Sequence, residues 1–305
     1  MKYVVTGAAG FIGSQLAEAL VAAGHEVSGI DCFTNFYDPA EKEENARGLD
    51  VRRFDLAADP LDFSGVDGVF HLAAQAGVRS FGDVFPLYLR RNVLATQRVF
   101  EAAAAAGVRV VFASSSSVYG VAEAYPTPES AEPRPISPYG VTKLAGEHLA
   151  DAYAVGYGLD AVVLRYFTVY GPRQRPDMFF RRVCDALLAG TPFEIYGSGE
   201  QSRSFTEVGD AVAATIAAME GGPAGAVYNV GGGDEASMLE AIARLEQVSG
   251  RTLEVRHTGV ATGDVGRTQA DVARIREALG WEPRISLPDG LTRMWSWASG
   301  RVAAR

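Results

Sequence analysis

A chain of 305 residues with 48% hydrophobic content is long enough for one large domain plus a smaller lobe and can fill a complete core. Its formal net charge of −9 argues against nucleic acid or an anionic membrane as the main partner, so an anionic ligand must be met by local arginines. Only two cysteines occur, Cys32 and Cys184, far apart and without His or Cys at metal-ligand spacing, so disulfide and zinc readings are both weak and no metal is expected. The chain runs from Met1 straight into a strand-like segment and holds no run of eighteen apolar residues, so a soluble cytoplasmic protein is expected.

In chain order, the first predicted strand (3–6) leads directly into Gly7-Ala8-Ala9-Gly10-Phe11-Ile12-Gly13 and a predicted helix over 11–23. A glycine-rich turn between strand and helix lets the backbone approach a pyrophosphate seated on the helix N-terminus, so Gly7, Gly10, Phe11, Ile12 and Gly13 are candidate dinucleotide contacts. The second strand (26–30) ends at Asp31, where a carboxylate would bond the adenosine ribose and repel a 2′-phosphate, favouring NAD over NADP. Strands over 51–55 and 68–72 follow. Their ends supply Asp55, Leu56, Leu72, Ala73 and Ala74 as cofactor walls, and the small alanines let a cofactor lie against the backbone. His71, on a buried strand, reads as a satisfied core histidine. Helices over 86–106 and 138–155 alternate with strands over 108–114 and 161–166, the rhythm of an α/β, doubly wound parallel sheet of Rossmann type. Beyond residue 170 shorter elements follow, with helices near 210–219, 237–248 and 271–279. The expected division is therefore a 1–170 dinucleotide-binding domain and a 171–305 lobe that mainly binds substrate, with the chain free to cross back to the sheet.

The fifth strand ends in Ser114-Ser115-Ser116-Ser117-Val118-Tyr119-Gly120, and Tyr139 and Lys143 stand four residues apart on a predicted helix, on one face. A tyrosine made basic at neutral pH, with a lysine ammonium beside it, suits redox chemistry at a hydroxyl. The glycine pattern, Ser-Ser-x-x-Val-Tyr-Gly and Tyr-x-x-x-Lys, in that order, resemble the extended short-chain dehydrogenase/reductases, specifically nucleotide-sugar epimerases and dehydratases. The resemblance covers nearly the whole chain. It implies NAD as cofactor, Tyr139 as base, Lys143 lowering the tyrosine pKa and holding the nicotinamide ribose, and Ser115 sharing the substrate hydroxyl. Asn35 and Tyr166 join the implied cofactor contacts. Ser116 and Ser117 stand where sugar-nucleotide dehydratases and UDP-glucuronate decarboxylases resemble one another in carrying a glutamate, so elimination is disfavoured and epimerisation remains.

The segments Asp31-Cys32-Phe33-Thr34-Asn35-Phe36-Tyr37 and Arg165-Tyr166-Phe167-Thr168-Val169-Tyr170-Gly171-Pro172-Arg173-Gln174-Arg175-Pro176-Asp177-Met178 look like signatures of UDP-glucuronate 4-epimerases. An Arg175 guanidinium with hydroxyls from Ser116, Ser117 and Thr168 would suit a C5 carboxylate. The bland alternative makes Arg173 and Arg175 a solvated basic loop. For the diphosphate and uracil, Arg182, Tyr196, Gln201, Arg203 and Arg267 are candidates, although Ser204, Gly209 and the neighbours of Gly263-Asp264 depart from the family pattern. The implied activity is 4-epimerisation of UDP-glucuronate and UDP-galacturonate. A 4-epimerase of neutral UDP-hexoses, a UDP-glucuronate decarboxylase and a non-catalytic NAD-binding protein stay as alternatives, and uridine is not separated from thymidine. The resemblance also implies a homodimer.

Overall fold

The computed structural model describes residues 1–77, 82–259 and 265–303. Six of its strands are those expected from β-branched runs: β1 (Lys2–Thr6), β2 (Glu26–Asp31), β3 (Val51–Arg53), β4 (Gly68–His71), β5 (Arg109–Ser115) and β6 (Ala161–Tyr166). The strand Val227–Val230 adds a seventh. All pair in parallel, in the order Val227–Val230, β6, β5, β4, β1, β2, β3. Thr6 lies opposite both Ile30 and His71, and Ser115 opposite Tyr166, so every carboxyl end reaches the same edge. That common edge positions the site.

Each sheet face is covered. Val5, Val111 and Val162 pack with Leu16 and Leu20 of helix α1 (Phe11–Ala22) and with Val208–Gly221, whereas Val4, Val110 and Phe112 pack with Val99 and Phe100 of the helix Ala95–Ala106. Burial on both faces explains why these strands read as continuous apolar runs. Residues 208–230 therefore return to the sheet, past the expected division at 170. A second core, with Tyr170, Phe180, Phe193, Phe205, Leu245 and Leu291, fills the remaining lobe.

The segment expected as one helix over 86–106 is divided. A single turn, Phe85–Tyr88, passes into π-helical Leu89–Leu94 before Ala95–Ala106. The wider turn brings Asn92 into the interior, where it accepts from Gln75 N (2.7 Å) and donates to Thr142 Oγ1 (3.0 Å). The helix Pro138–Tyr157 is bounded as its sequence directs: Ser137 accepts from Gly140 N, Pro138 opens the first turn and Gly158 closes the helix in the left-handed conformation. Among the described residues no helix is long and apolar enough to cross a membrane, and no cluster of three His, Cys, Asp or Glu is placed to hold a metal.

Candidate active site at the carboxyl edge of the sheet

A cavity of about 690 Å³ runs along the carboxyl edge of the sheet into the second lobe, a volume suited to an organic ligand. Its wall includes Gly7, Gly10, Phe11, Ile12, Gly13, Asp31, Asp55, Leu56, Leu72, Ala73, Ala74 and Tyr166 on the expected cofactor side. Ser115, Ser116, Ser117, Tyr139, Lys143, Thr168, Arg175, Arg182, Tyr196 and Gln201 continue it. Three expected residues lie off this wall. Asn35 is exposed. Arg203 is buried with its guanidinium donating to Ser202 O and Val265 O, and Arg267 forms a fork on Glu235 (2.7 and 2.8 Å). Both arginines, expected as nucleotide contacts, are here engaged by local carbonyl and carboxylate partners. Gly263 and Asp264 lie outside the described residues.

At the cofactor end, Gly7 takes φ +72° and its N–H donates to Ile30 O at 2.7 Å, folding the turn onto β2. A Cβ at Gly13 would lie 2.1 Å from Gly7 O, so only glycine lets α1 start this close to the strand. The first turn of α1 carries no acidic residue and no capping side chain, leaving its N–H groups and positive dipole end directed at the cavity. Asp31 accepts from Ala9 N (3.2 Å) and Phe33 N (2.7 Å), one bond on each oxygen, so lone pairs remain for ribose hydroxyls. These features fit a dinucleotide. Two further residues come from helix α2 (Pro39–Asn45), which sequence reasoning passed over: Asn45 donates to Ala9 O, and buried Lys42 donates to Thr34 Oγ1 (2.9 Å). Their only sequence signal was an Asp-Pro helix start after β2.

At the other end, Ser115 Oγ donates to Ser117 Oγ and accepts from Ser117 N, both at 3.1 Å. Burial raises the Tyr139 pKa, while the nearby Arg175 charge and a side-chain hydrogen bond with Ser115 pull it down. The sequence expectation assigned that lowering to Lys143. In the structure Lys143 Nζ donates to Ala113 O (2.7 Å) and sits 5.8 Å from the Tyr139 ring centre, and burial pushes its own pKa down to about 7 against the attraction of Glu147. Arg175 thus joins Lys143 as a cation near Tyr139. Its neighbour Arg173 is not a solvated residue either, because it donates to Ser14 Oγ and pairs with Glu18 on α1.

Beneath the serine loop lies a buried polar chain that the sequence did not disclose. Ser114 donates to Glu147, which pairs with Arg165 at 2.6 Å; Arg165 donates to Tyr119, and Tyr119 to Asn229. Glu147 stands one turn beyond Lys143, which was the available cue. His71, by contrast, is held between Thr6 and Thr96 hydroxyls and stacks on Phe112, with burial pushing its pKa down to about 3.

The model of the NAD dependent epimerase/dehydratase family matches residues 3–231. The UDP-glucose 4-epimerase of Mycolicibacterium smegmatis is 39% identical, over 96% of this chain and 97% of its own. The crystal structure of UDP-glucuronic acid 4-epimerase from Bacillus cereus with UDP-glucuronic acid and NAD superposes with a TM-score of 0.95 at 38% identity, covering 99% of this chain and 100% of that one. MoeE5, solved with NAD and either UDP-glucuronic acid or UDP-glucose, gives 0.90 at 44% and 43% identity over 99% of this chain and 100% of its own. With the glycine turn, Asp31 and the Ser115/Tyr139/Lys143 group on one cavity, and with similarity running end to end, the chain belongs to the NAD-dependent epimerase/dehydratase family.

Proposed function

We propose that this protein interconverts UDP-glucuronate and UDP-galacturonate by 4-epimerisation. It is an NAD-dependent nucleotide-sugar 4-epimerase; the uronate is the finer reading. The observation that carries it is Arg175, whose guanidinium shares a wall with Ser116, Ser117, Thr168 and Tyr139. A cation ringed by hydroxyls near the base suits a carboxylate one carbon from the reacting centre.

When bound, NAD accepts the C4 hydride and returns it. The chain's own part is to hold and move a proton and to orient the sugar. Tyr139 takes the O4 proton as the C4–H bond breaks, with Ser115 bonded to the same hydroxyl. Burial holds the Tyr139 pKa above its ordinary value, and the Arg175 charge opposes that rise. Oxidation makes the sugar a β-keto acid, which loses CO₂ when the carboxylate bond stands perpendicular to the ketone plane. Donors from Ser116, Ser117, Thr168 and Arg175 hold the carboxylate away from that geometry while the keto sugar turns its other face. Neither serine can act as acid or base at carbon, so water elimination has no agent here.

The neutral-hexose reading is favoured by one observation: Arg175 already has a carboxylate partner in Asp177. Incubating the purified protein with UDP-glucuronate and no added cofactor separates the two. UDP-galacturonate of unchanged mass is the expected product; a product lighter by CO₂, or conversion of UDP-glucose alone, defeats the proposal. Arg175→Ala should weaken uronate turnover or release pentose product. We also propose a homodimer through the helices Ala95–Ala106 and Pro138–Tyr157, beside which Leu94 and Val141 are exposed; light scattering at the monomer mass would defeat that.

A further inference from the structure

The loop that carries Arg175 is pinned on several sides. Arg173 adopts φ +64° and is tied to α1, Gln174 N donates to Gly171 O, and Met178 N donates to Arg175 O at 3.0 Å. On this fixed turn Arg175 Nε and Nη2 donate to the two oxygens of Asp177, each at 3.0 Å. The side chains are 24% and 41% exposed, and both line the cavity. The Phe36 ring lies 5.9 Å from the guanidinium carbon. The fork to Asp177 uses one edge of the guanidinium and leaves Nη1 and the second Nη2 hydrogen for a ligand.

We propose that Asp177 is a specificity-determining residue: a resident counter-ion that sets the balance between acidic and neutral hexoses at this site. The inference rests on reading Arg175 as the group that faces C6 of the sugar. When that carbon is a hydroxymethyl group, substrate binding strips water from Arg175 and brings no charge in return. A guanidinium stripped of water without a carboxylate partner is costly even with the Phe36 ring beside it, and Asp177 prevents that state. When the carbon is a carboxylate, the free guanidinium edge takes it, and the Asp177 charge opposes it from the far edge. Removing that charge therefore acts in one direction twice, weakening the neutral sugar and strengthening the acidic one.

The test compares kcat/KM for UDP-glucuronate and UDP-glucose in the parent, D177N and D177E. In D177N the uronate-to-glucose ratio should rise about tenfold, the Coulomb interaction at this separation being discounted for solvent exposure. D177E keeps the charge and should keep the parent ratio. An unchanged or lowered ratio in D177N overturns the proposal, and so does a D177E ratio that moves as far as that of D177N. If D177N fails to fold, D177S takes its place, with the same rise in the ratio expected and an unchanged or lowered ratio overturning the proposal. A parent inactive on UDP-glucuronate would defeat the uronate reading by itself. The dissociation constants of the same two nucleotides, measured by calorimetry on parent and D177N, then report the Asp177 effect with the same expected and overturning results.

Discussion

At Lys143 burial strongly opposes charge, and Lys143→Met should expose the conflict. The side chain is 3% exposed, its Nζ donates to Ala113 O, and its pKa falls to about 7 from the ordinary 10.5. Between those values the unfolded chain holds a proton that the folded chain has released, so stability rises with pH across the window. Above about 10.5 the penalty is absent, and below about 7 it is complete. At about 1.36 kcal/mol per pH unit, the full depression corresponds to a ceiling of about 5 kcal/mol, of which about 2 kcal/mol is relieved between pH 7 and pH 9. Methionine matches the shape but leaves Ala113 O without its donor, which costs about 1–3 kcal/mol. The cofactor-stripped variant should then exceed the parent by about 1–3 kcal/mol at pH 7 and lose about 2 kcal/mol of that margin by pH 9. Urea unfolding of both proteins at several pH values measures the margin, and turnover assays should find the variant inactive. A margin independent of pH would refute the reasoning, because any packing benefit of methionine is pH-independent.

Glu147→Gln leaves Arg165 buried beside an uncharged partner; a loss of about 3–5 kcal/mol in urea unfolding is expected, and a loss under about 1 kcal/mol would remove the ion pair from the account. Tyr139→Phe should lower kcat by about 10²–10⁴-fold while the protein keeps its fold by circular dichroism, and near-normal turnover would reassign the base. His71, its pKa pushed down to about 3 by burial, stays neutral where the unfolded chain protonates near 6.5. Its contribution is thus present above about 6.5 and lost as acidity approaches pH 3, at up to about 1.36 kcal/mol per unit. An NMR titration showing the His71 ring, assigned by loss of its signal in His71→Gln, protonating near pH 6.5 in the folded protein would contradict this.

What could be read from sequence was whatever a few neighbouring residues settle among themselves. Gly10 and Gly13 are constrained by the Gly7 carbonyl, Ser137-Pro138 fixes a helix start, and Tyr139 and Lys143 share a face because of helical pitch. A side chain's final direction is different, because it depends on the partner that the fold delivers. Arg203 and Arg267 sit in a motif-like segment, yet Val265 O and Glu235 claim them, and these partners arrive only when Glu235–Ser237 and Arg267–Thr268 pair with Ser202–Ser204. Asn92 enters through a π-turn whose residues look helical, and Asn229 closes the polar chain from a strand that returns to the sheet more than sixty residues after β6. The same distinction separates the two charges at the substrate end. Arg175 was legible as a cation beside hydroxyls, but the sign of the field it offers a sugar depends on Asp177, two residues away in a turn whose geometry is fixed by distant α1. On the role proposed for Asp177, substrate choice is a property of the pair and of the turn that aligns it, so a motif identifies the reaction more readily than the sugar.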